Sequence, residues 1–295
     1  MILLIKQIIC TPQDVAAGTS ASNKITFELY DDGSKTGYFI KKIDGLGPVK
    51  ASINTSWATN KAGVNYVSSK KEPRNIVLTL GLRSTSVRSV EYYRQYLYKM
   101  FRIGRGVTIN IITDNRNVIT FGYVEYCEPD IFSSEEDVVI SIICPDSNMK
   151  KSTENEQVIS WNTPNNQFNL NLTTDGECNV GFRLELTFSV AGVPTFSLRN
   201  SSGQTFVANL SSIRIGSNNG ILARDKLILN TNYGEKGIYI RRANVQHSIL
   251  DVITYKSKWF ELLYGLNTFS LTFGSTVTTQ PGTLKVFWTD EYEGV

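Results

Sequence analysis

The sequence is poor in the residues on which enzymes and metal sites most often depend. It contains a single histidine in 295 residues, whereas proton transfer near neutral pH and zinc coordination both rely heavily on histidine. Its four cysteines form no CxxC pair and have no histidine near them, which argues against a metal knuckle. We expect all four to be reduced thiols of a protein made in a cytosol. The scarcity of histidine does not forbid catalysis, but it favours a binding or structural protein.

Signatures of phosphate binding, nucleophilic catalysis and membrane insertion are also missing. Residues 104–106 (GRG) close a predicted helix instead of opening one, and no GxSxG elbow is present. Ser248 and Asp251 lie beside His247 in one loop, and adjacency along the chain does not supply the convergence of a triad. No stretch approaches 18 apolar residues, and the apolar N-terminal run is broken at Lys6, so it is predicted to be a strand instead of an export signal. We therefore expect no enzyme activity, no cofactor, no metal and no membrane insertion.

Charge is scarce overall but unevenly distributed. Charged residues make up 19% of the chain and the net charge is +3, too little for a disordered chain and too mild to argue for nucleic acid. Residues 35–116 contain 15 Lys and Arg against 4 Asp and Glu, whereas residues 117–146 contain 7 acidic and no basic residues. The two segments either neutralise each other within one domain or meet across a contact between copies in an assembly.

The chain is expected to form two β-rich domains. Its 14 Tyr, 14 Phe and 22 Gly favour strands and tight turns. Residues 145–157 are polar and unpatterned and begin with a proline, which indicates a boundary. We therefore predict a first domain of residues 1–146, a linker of residues 147–157 and a second domain of residues 158–295.

The first domain is predicted to be a sheet or sandwich with one helix. Alternating segments such as residues 74–80 predict strands. Apolar residues recur at helical spacing after a candidate N-cap cluster at residues 84–86, and they are Val90, Tyr93, Leu97, Met100 and Phe101. Residues 54–73 are predicted to be a long polar loop, which in a compact domain is usually functional or shaped by a partner. From residue 157 onward, short strand-like segments separated by turn residues are typical of a β-sandwich or jelly roll.

Two further groups of residues could form sites. Glu135, Glu136 and Asp137 form an acidic triplet that lacks the ligand pattern of a calcium loop or a glycosidase pair. A sugar site on the second domain would need an aromatic platform, for which the candidates are Trp161, Trp259, Tyr255 and Tyr264. The alternative is that the tryptophans are core residues, because Trp259 and Trp288 alternate with their neighbours as core strands do. A filled sandwich would disfavour the sugar site.

Several segments, taken in their order, resemble the distal tail protein (Dit) family of bacteriophage tails. In the first domain they are Phe39–Pro48 (FIKKIDGLGP), the turn at residues 60–63 (NKAG) and Glu72–Leu80 (EPRNIVLTL), followed by the aromatic helix. In the second domain, residues 257–269 and 223–231 are similar to further family segments. The sequence departs from the family pattern at Gly47-Pro48, where the family has two prolines.

The resemblance implies a structural virion protein. Six copies would form a ring through their N-terminal belt domains, and the C-terminal domain would be a galectin-like or carbohydrate-module-like β-sandwich. The ring would join the tail tube protein to the tail-tip or baseplate hub protein and enclose a channel through which DNA passes without sequence-specific binding. The protein would be made in the host bacterial cytoplasm and reside in the virion, and a receptor-binding protein or peripheral adhesin could be a further partner.

In such a ring, one heterologous interface repeats around the axis. The residues predicted for the assembly interface are Trp57, Lys61, Tyr66, Lys70, Lys71, Arg74, Glu135, Glu136 and Asp137. The acidic triplet is expected to face the basic segment of a neighbour or of the tube. The alternative function is a host-surface carbohydrate-binding adhesion module, with Trp161, Tyr255 and Tyr264 as its glycan platform.

Overall fold

The computed structural model of the chain is mainly β, which confirms the predicted fold class. The structure describes residues 5–13, 24–29, 31–57, 59, 62–131, 136–161, 167–274 and 282–295. The chain divides into two compact units. The first unit consists of residues 1–152 and 292–295, and the second of residues 153–291.

The first unit is built on a large antiparallel sheet with one helix. Its elements are β1 (Ile5–Pro12), β2 (Ile25–Glu28), β3 (Tyr38–Asp44), β4 (Ala51–Trp57), β5 (Val64–Lys71), β6 (Arg74–Leu82), α1 (Val90–Met100), β7 (Gly106–Thr113), β8 (Asn117–Asp130), β9 (Asp137–Cys144) and β10 (Met149–Lys151). The main strand order is β2-β1-β7-β8-β9-β6-β3, and β10 pairs with β8. Successive residues of a strand point to opposite faces, so Ile76, Leu78 and Leu80 of β6 all enter the core.

The helix confirms the predicted apolar stripe but not the predicted cap. Tyr93, Leu97 and Met100 are buried on one face of α1, as their spacing of three and four residues requires. The N-cap is Ser89, whose hydroxyl accepts a hydrogen bond from the Tyr92 backbone N–H at 3.3 Å. The cluster at residues 84–86 was therefore the wrong cap, since it lies in the turn before the helix.

The second unit is a β-sandwich. Its elements are β11 (Asn155–Trp161), β12 (Gln167–Thr174), β13 (Phe182–Thr187), β14 (Thr195–Asn200), β15 (Thr205–Asn209), β16 (Arg214–Ile215), β17 (Asn218–Asn219), β18 (Lys226–Asn230), β19 (Gly237–Arg242), β20 (Val245–Ser248), β21 (Gly265–Phe273) and β22 (Gly282–Trp288). The last strand of the chain, β23 (Glu291–Tyr292), instead pairs with β10 in the large sheet of the first unit. A six-stranded sheet, β11-β22-β13-β18-β19-β20, faces a four-stranded sheet, β12-β21-β14-β15. The rings of Phe182 and Phe269 bridge the two sheets, with centroids 5.5 Å apart.

Three features of the fold differ from the sequence-based segmentation. The segment predicted as a linker contains β10, where Lys150 and Lys151 pair with Ile119 and Val118 of β8. Residues 259–262 form no strand, and Leu262 makes only an isolated bridge to Val180. The last four residues of the sequence also return to the first unit.

The four cysteines are free. Cys10, Cys144 and Cys178 are buried. Burial raises the pKa of Cys10 to about 12 and that of Cys127 to about 11. Because the thiolate is the reactive form, these two residues are poor nucleophiles at neutral pH.

Candidate assembly surface

Strands β4 and β5 form a two-stranded hairpin, which we call the arm. Its register runs from the pair Ala51–Lys71 to the pair Trp57–Val64. Every residue of both strands is exposed, and neither strand pairs with a third one within the described residues. The arm corrects the predicted long loop of residues 54–73: the segment is polar, but much of it is regular β-structure.

The two faces of the arm differ in polarity. The register and the alternation of side chains place Ile53, Trp57, Val64 and Tyr66 on one face. The opposite face carries small or polar side chains, namely Ser52, Asn54, Ser56, Asn65, Ser68 and Lys70. On the apolar face, Ile53 is 62% exposed, Trp57 86% and Tyr66 66%. The arm is therefore an amphipathic ribbon whose apolar face is turned to solvent.

The hydrogen bonds of the arm stabilise the ribbon but leave that apolar face uncovered. On the polar face, the Asn54 side-chain amide donates to the Ser68 hydroxyl at 3.0 Å, across the two strands. At the base of the arm, the Ser52 hydroxyl donates to the Glu72 carboxylate at 2.8 Å. An isolated two-stranded hairpin is only marginally stable in water, and exposed apolar patches commonly mark interaction sites. The arm thus has the properties of a surface that a partner completes.

Arg74, which follows the arm, forms a buried clasp. Its side chain is 1% exposed. One terminal nitrogen donates to the carbonyls of Gly45 and Gly47 (2.5 and 2.7 Å), and the other donates to those of Ser147 and Glu293 (2.8 and 2.6 Å). Its Nε also donates to the Ser147 carbonyl, at 3.1 Å. The prediction that Arg74 lies at the assembly interface is wrong, because its guanidinium is enclosed by carbonyls of its own unit.

The clasp explains why two of the family-like segments occur together. Gly45 of the IDGLGP segment has a φ of +86°, and a Cβ there would overlap the carbonyl oxygen of Asn75. Asn75 directly follows Arg74 in the EPRNIVLTL segment. The loop after β3 and the start of β6 therefore approach so closely that glycine is required at position 45.

The basic residues predicted for the interface fall into different environments. Lys70 is exposed on the polar face of the arm. Lys71, at the arm's base, donates to the Glu293 carboxylate at 2.7 Å and to the Asn148 side-chain carbonyl at 3.1 Å. Lys61 lies outside the described residues. Of the two predicted lysines that the structure describes, Lys70 is the one whose placement suits contact with another molecule.

The acidic triplet is paired inside the first unit where the structure describes it. The Glu136 carboxylate lies 3.0 Å from the Arg94 guanidinium of α1, and Asp137 lies 2.7 Å from the Lys41 ammonium of β3. Glu135 lies outside the described residues. These pairs agree with the alternative in which the basic and acidic segments neutralise each other within one domain. That the triplet faces a neighbouring copy stays a prediction.

The residues predicted for the glycan platform are exposed where the structure describes them, and that they form one platform stays a prediction. Tyr255 and Tyr264 are 91% and 74% exposed, and the side chain of Trp161 lies outside the described residues. The sandwich interior is filled: Trp288 is buried, and Trp259 packs on Phe206 with ring centroids 5.0 Å apart. This arrangement matches the core alternative for the two tryptophans.

Two other kinds of site are absent from the described residues. The described residues contain no group of three or more His, Cys, Asp and Glu side chains placed to hold a metal ion. No helix in the described part of the chain is long and apolar enough to cross a membrane.

Comparison with known proteins supports the interpretation of the first unit. Residues 28–173 match the family model described as phage tail protein RIFT-related domain. No match was found among curated proteins. Among solved structures, the Dit protein of phage SPP1, described as a paradigm of the hub adsorption apparatus in Gram-positive infecting phages, is similar with a TM-score of 0.59 and 11% identity. That match covers 86% of this chain and 93% of the SPP1 chain.

Two structures of the phage P2 baseplate in its activated conformation are more distant. The one with Ca has a TM-score of 0.45 and 8% identity, covering 99% of this chain and 100% of the other. The one with Sr has a TM-score of 0.41 and 8% identity, covering 96% and 98%. The family-model match over residues 28–173 and the fold shared with the SPP1 protein confirm the resemblance predicted from the sequence: this chain contains a phage tail protein RIFT-related domain and has a fold similar to that of a siphophage distal tail (Dit) protein.

Proposed function

We propose that six copies of this chain form a ring at the distal end of a phage tail, with the first unit as the ring-forming part. The ring joins the tail tube protein to the tail-tip or baseplate hub protein, and it encloses the channel through which DNA passes. The fold shared with SPP1 Dit, a hub protein by its description, supports this role. The observation that carries the proposal is the arm, an amphipathic ribbon with one exposed apolar face and two unpaired edges among the described residues.

The two edges of the arm favour head-to-tail assembly. One edge belongs to β4 and the other to β5, so pairing β4 of one copy with β5 of the next joins two different surfaces. Such a heterologous contact repeats from copy to copy and ends only when the rotation closes a ring. In a closed ring every arm edge has a partner, which removes the exposed strand edges that otherwise promote aggregation.

The two faces of the arm suit the two sides of a ring wall. The polar face carries serine, asparagine and Lys70 and no acidic residue. A wall of this kind would not repel the phosphate backbone of DNA and offers no ordered set of groups to read a base sequence. We therefore assign the polar face to the channel and the apolar face to packing against the body of the ring.

The remaining parts of the proposal follow from this location. The protein is made in the host bacterial cytoplasm and becomes part of the virion, and its role is structural instead of catalytic. A receptor-binding protein or peripheral adhesin is a further partner in the proposed assembly.

The proposal is tested by changing one face of the arm at a time. A variant with Ile53→Ser, Trp57→Ser and Tyr66→Ser removes the apolar face, and its matched control, with Ser56→Ala, Asn65→Ala and Ser68→Ala, alters the polar face of the same ribbon. Light scattering on a sizing column should give six times the 33.0 kDa chain mass for the unchanged protein and the control. The apolar-face variant should be a folded monomer, with the circular dichroism spectrum of the unchanged protein and a cooperative unfolding transition.

Two results would contradict the proposal. One is an unchanged protein that stays monomeric at every concentration tested. The other is an apolar-face variant that still assembles to the full mass.

A further inference from the structure

A groove of about 540 Å³ lies on the outer face of the six-stranded sheet of the second unit. Its sides are formed by six polar side chains that end in planar groups, namely Arg183, Glu185, Asn230, Glu235, Arg241 and Gln246. Ile228 and Tyr239 complete its lining. The groove is an open depression on the surface of the sheet and does not enclose a cavity.

Strand alternation explains why these side chains face outward. Leu184, Leu227, Leu229 and Ile240 are fully buried in the sandwich core, so the residues between them point to the opposite side of the sheet. Ile228 is one of these outward residues, yet it is only 5% exposed. The surrounding side chains therefore rise above Ile228 and make it the floor of a depression.

The polar groups of the groove are held in place by one another. Glu185 lies 3.0 Å from the Lys226 ammonium and 3.3 Å from Nε of Arg183. Asn230 donates to the Glu235 carboxylate at 3.2 Å. Groups fixed before a ligand arrives lose less conformational entropy on binding.

The same groups keep hydrogen-bonding capacity. Arg241 donates to the Gln246 side-chain carbonyl at 3.3 Å, and the Arg183 guanidinium lies 4.5 Å from the centroid of the Phe287 ring. A guanidinium carries five N–H donors and a carboxylate about four acceptor positions. The arginine donors and glutamate acceptors of the groove outnumber the contacts that the described part of the chain makes with them. Donors and acceptors therefore remain for a ligand.

The charge balance of the lining decides the class of ligand. Two arginines and two glutamates line the groove, so its lining has no net charge and does not favour a phosphate polymer or another polyanion. The scarcity of apolar lining does not favour a hydrophobic ligand either. Sugar hydroxyls both donate and accept hydrogen bonds, and they match planar amide, carboxylate and guanidinium groups. The C–H face of a pyranose can pack against an aromatic ring such as that of Tyr239.

We propose that this groove binds an uncharged carbohydrate, with the planar side chains bonding its hydroxyls and Tyr239 packing against a sugar ring. The site differs from the predicted platform, because Tyr255 and Tyr264 do not line the groove. It does not depend on the ring proposed above, which uses the arm of the first unit, so either proposal can fail without the other.

Saturation-transfer NMR on the whole chain tests the proposal, because this method detects weak ligands. The probes are maltoheptaose, cellohexaose, chitohexaose and a galactan oligosaccharide, with polyglycerol phosphate as the anionic comparison. At least one neutral oligosaccharide should receive transfer from the protein. Tyr239→Ala should weaken that binding about tenfold, and Arg241→Gln should also weaken it. The matched control is Tyr255→Ala, which removes a more exposed tyrosine of the same unit and should leave binding unchanged.

Three outcomes would overturn the proposal. The first is that no neutral oligosaccharide receives transfer at millimolar concentration. The second is that polyglycerol phosphate alone binds. The third is binding that persists in a double variant, Tyr239→Ala with Arg241→Gln, whose fold is shown to be intact by its melting temperature.

Discussion

The arm and the clasp are neighbours in the chain, but their residues are in opposite environments. Lys70, next to the last residue of the arm, is exposed to solvent, whereas Arg74, four positions later, is 1% exposed and makes five hydrogen bonds to backbone carbonyls. The clasp satisfies its polar groups within its own unit, while the apolar face of the arm has no such cover in the described residues. Both segments are basic, but they have different roles. The buried Arg74 stabilises the fold, whereas the exposed residues of the arm are available for assembly.

The largest expected effect is the loss of the clasp. Arg74→Met keeps much of the side-chain volume but leaves four carbonyls without their donor, and it should lower the free energy of unfolding by about 3–5 kcal/mol. Lys70→Met is the matched control, and as an exposed substitution it should change that energy by less than about 0.5 kcal/mol. Urea unfolding followed by near-ultraviolet circular dichroism measures both. Equal effects of the two substitutions would remove the distinction between arm and clasp.

A smaller effect is expected at the acidic residues. Glu136→Gln with Asp137→Asn removes two partly exposed ion pairs of the first unit and should cost about 1 kcal/mol of stability. If the pairs act only within the unit, the assembled mass measured by light scattering is unchanged. A folded variant that no longer assembles would instead show that these carboxylates face a neighbouring copy, as the charge distribution in the sequence also allowed.

The sequence predicts the core of the molecule better than its surfaces. The alternation in β6 and the helical spacing of Tyr93, Leu97 and Met100 both lead to buried residues, because burial of apolar side chains imposes these periods directly. The arm escaped prediction as β-structure because serine, threonine and asparagine make up seven of its fifteen strand residues, and such residues are typical of loops.

The clasp and the groove depend on distant residues, so local patterns could not reveal them. Arg74 finds its carbonyl partners 29, 73 and 219 positions away along the chain, and a charged residue at the start of a strand gives no local sign of burial. The groove residues lie on the outward face of β13, β18, β19 and β20 or in a turn between them. In the sequence they resemble any solvated polar face, because only the folded sheet brings them together.

Hydrogen–deuterium exchange at the arm tests most directly whether other copies complete its open edges. It compares the assembled protein with the monomeric variant that carries Ile53→Ser, Trp57→Ser and Tyr66→Ser. Amides on the outer edges of β4 and β5 should exchange rapidly in the monomer and much more slowly in the assembly, because pairing with a neighbouring strand protects them. Equally rapid exchange of these amides in both forms would contradict the account.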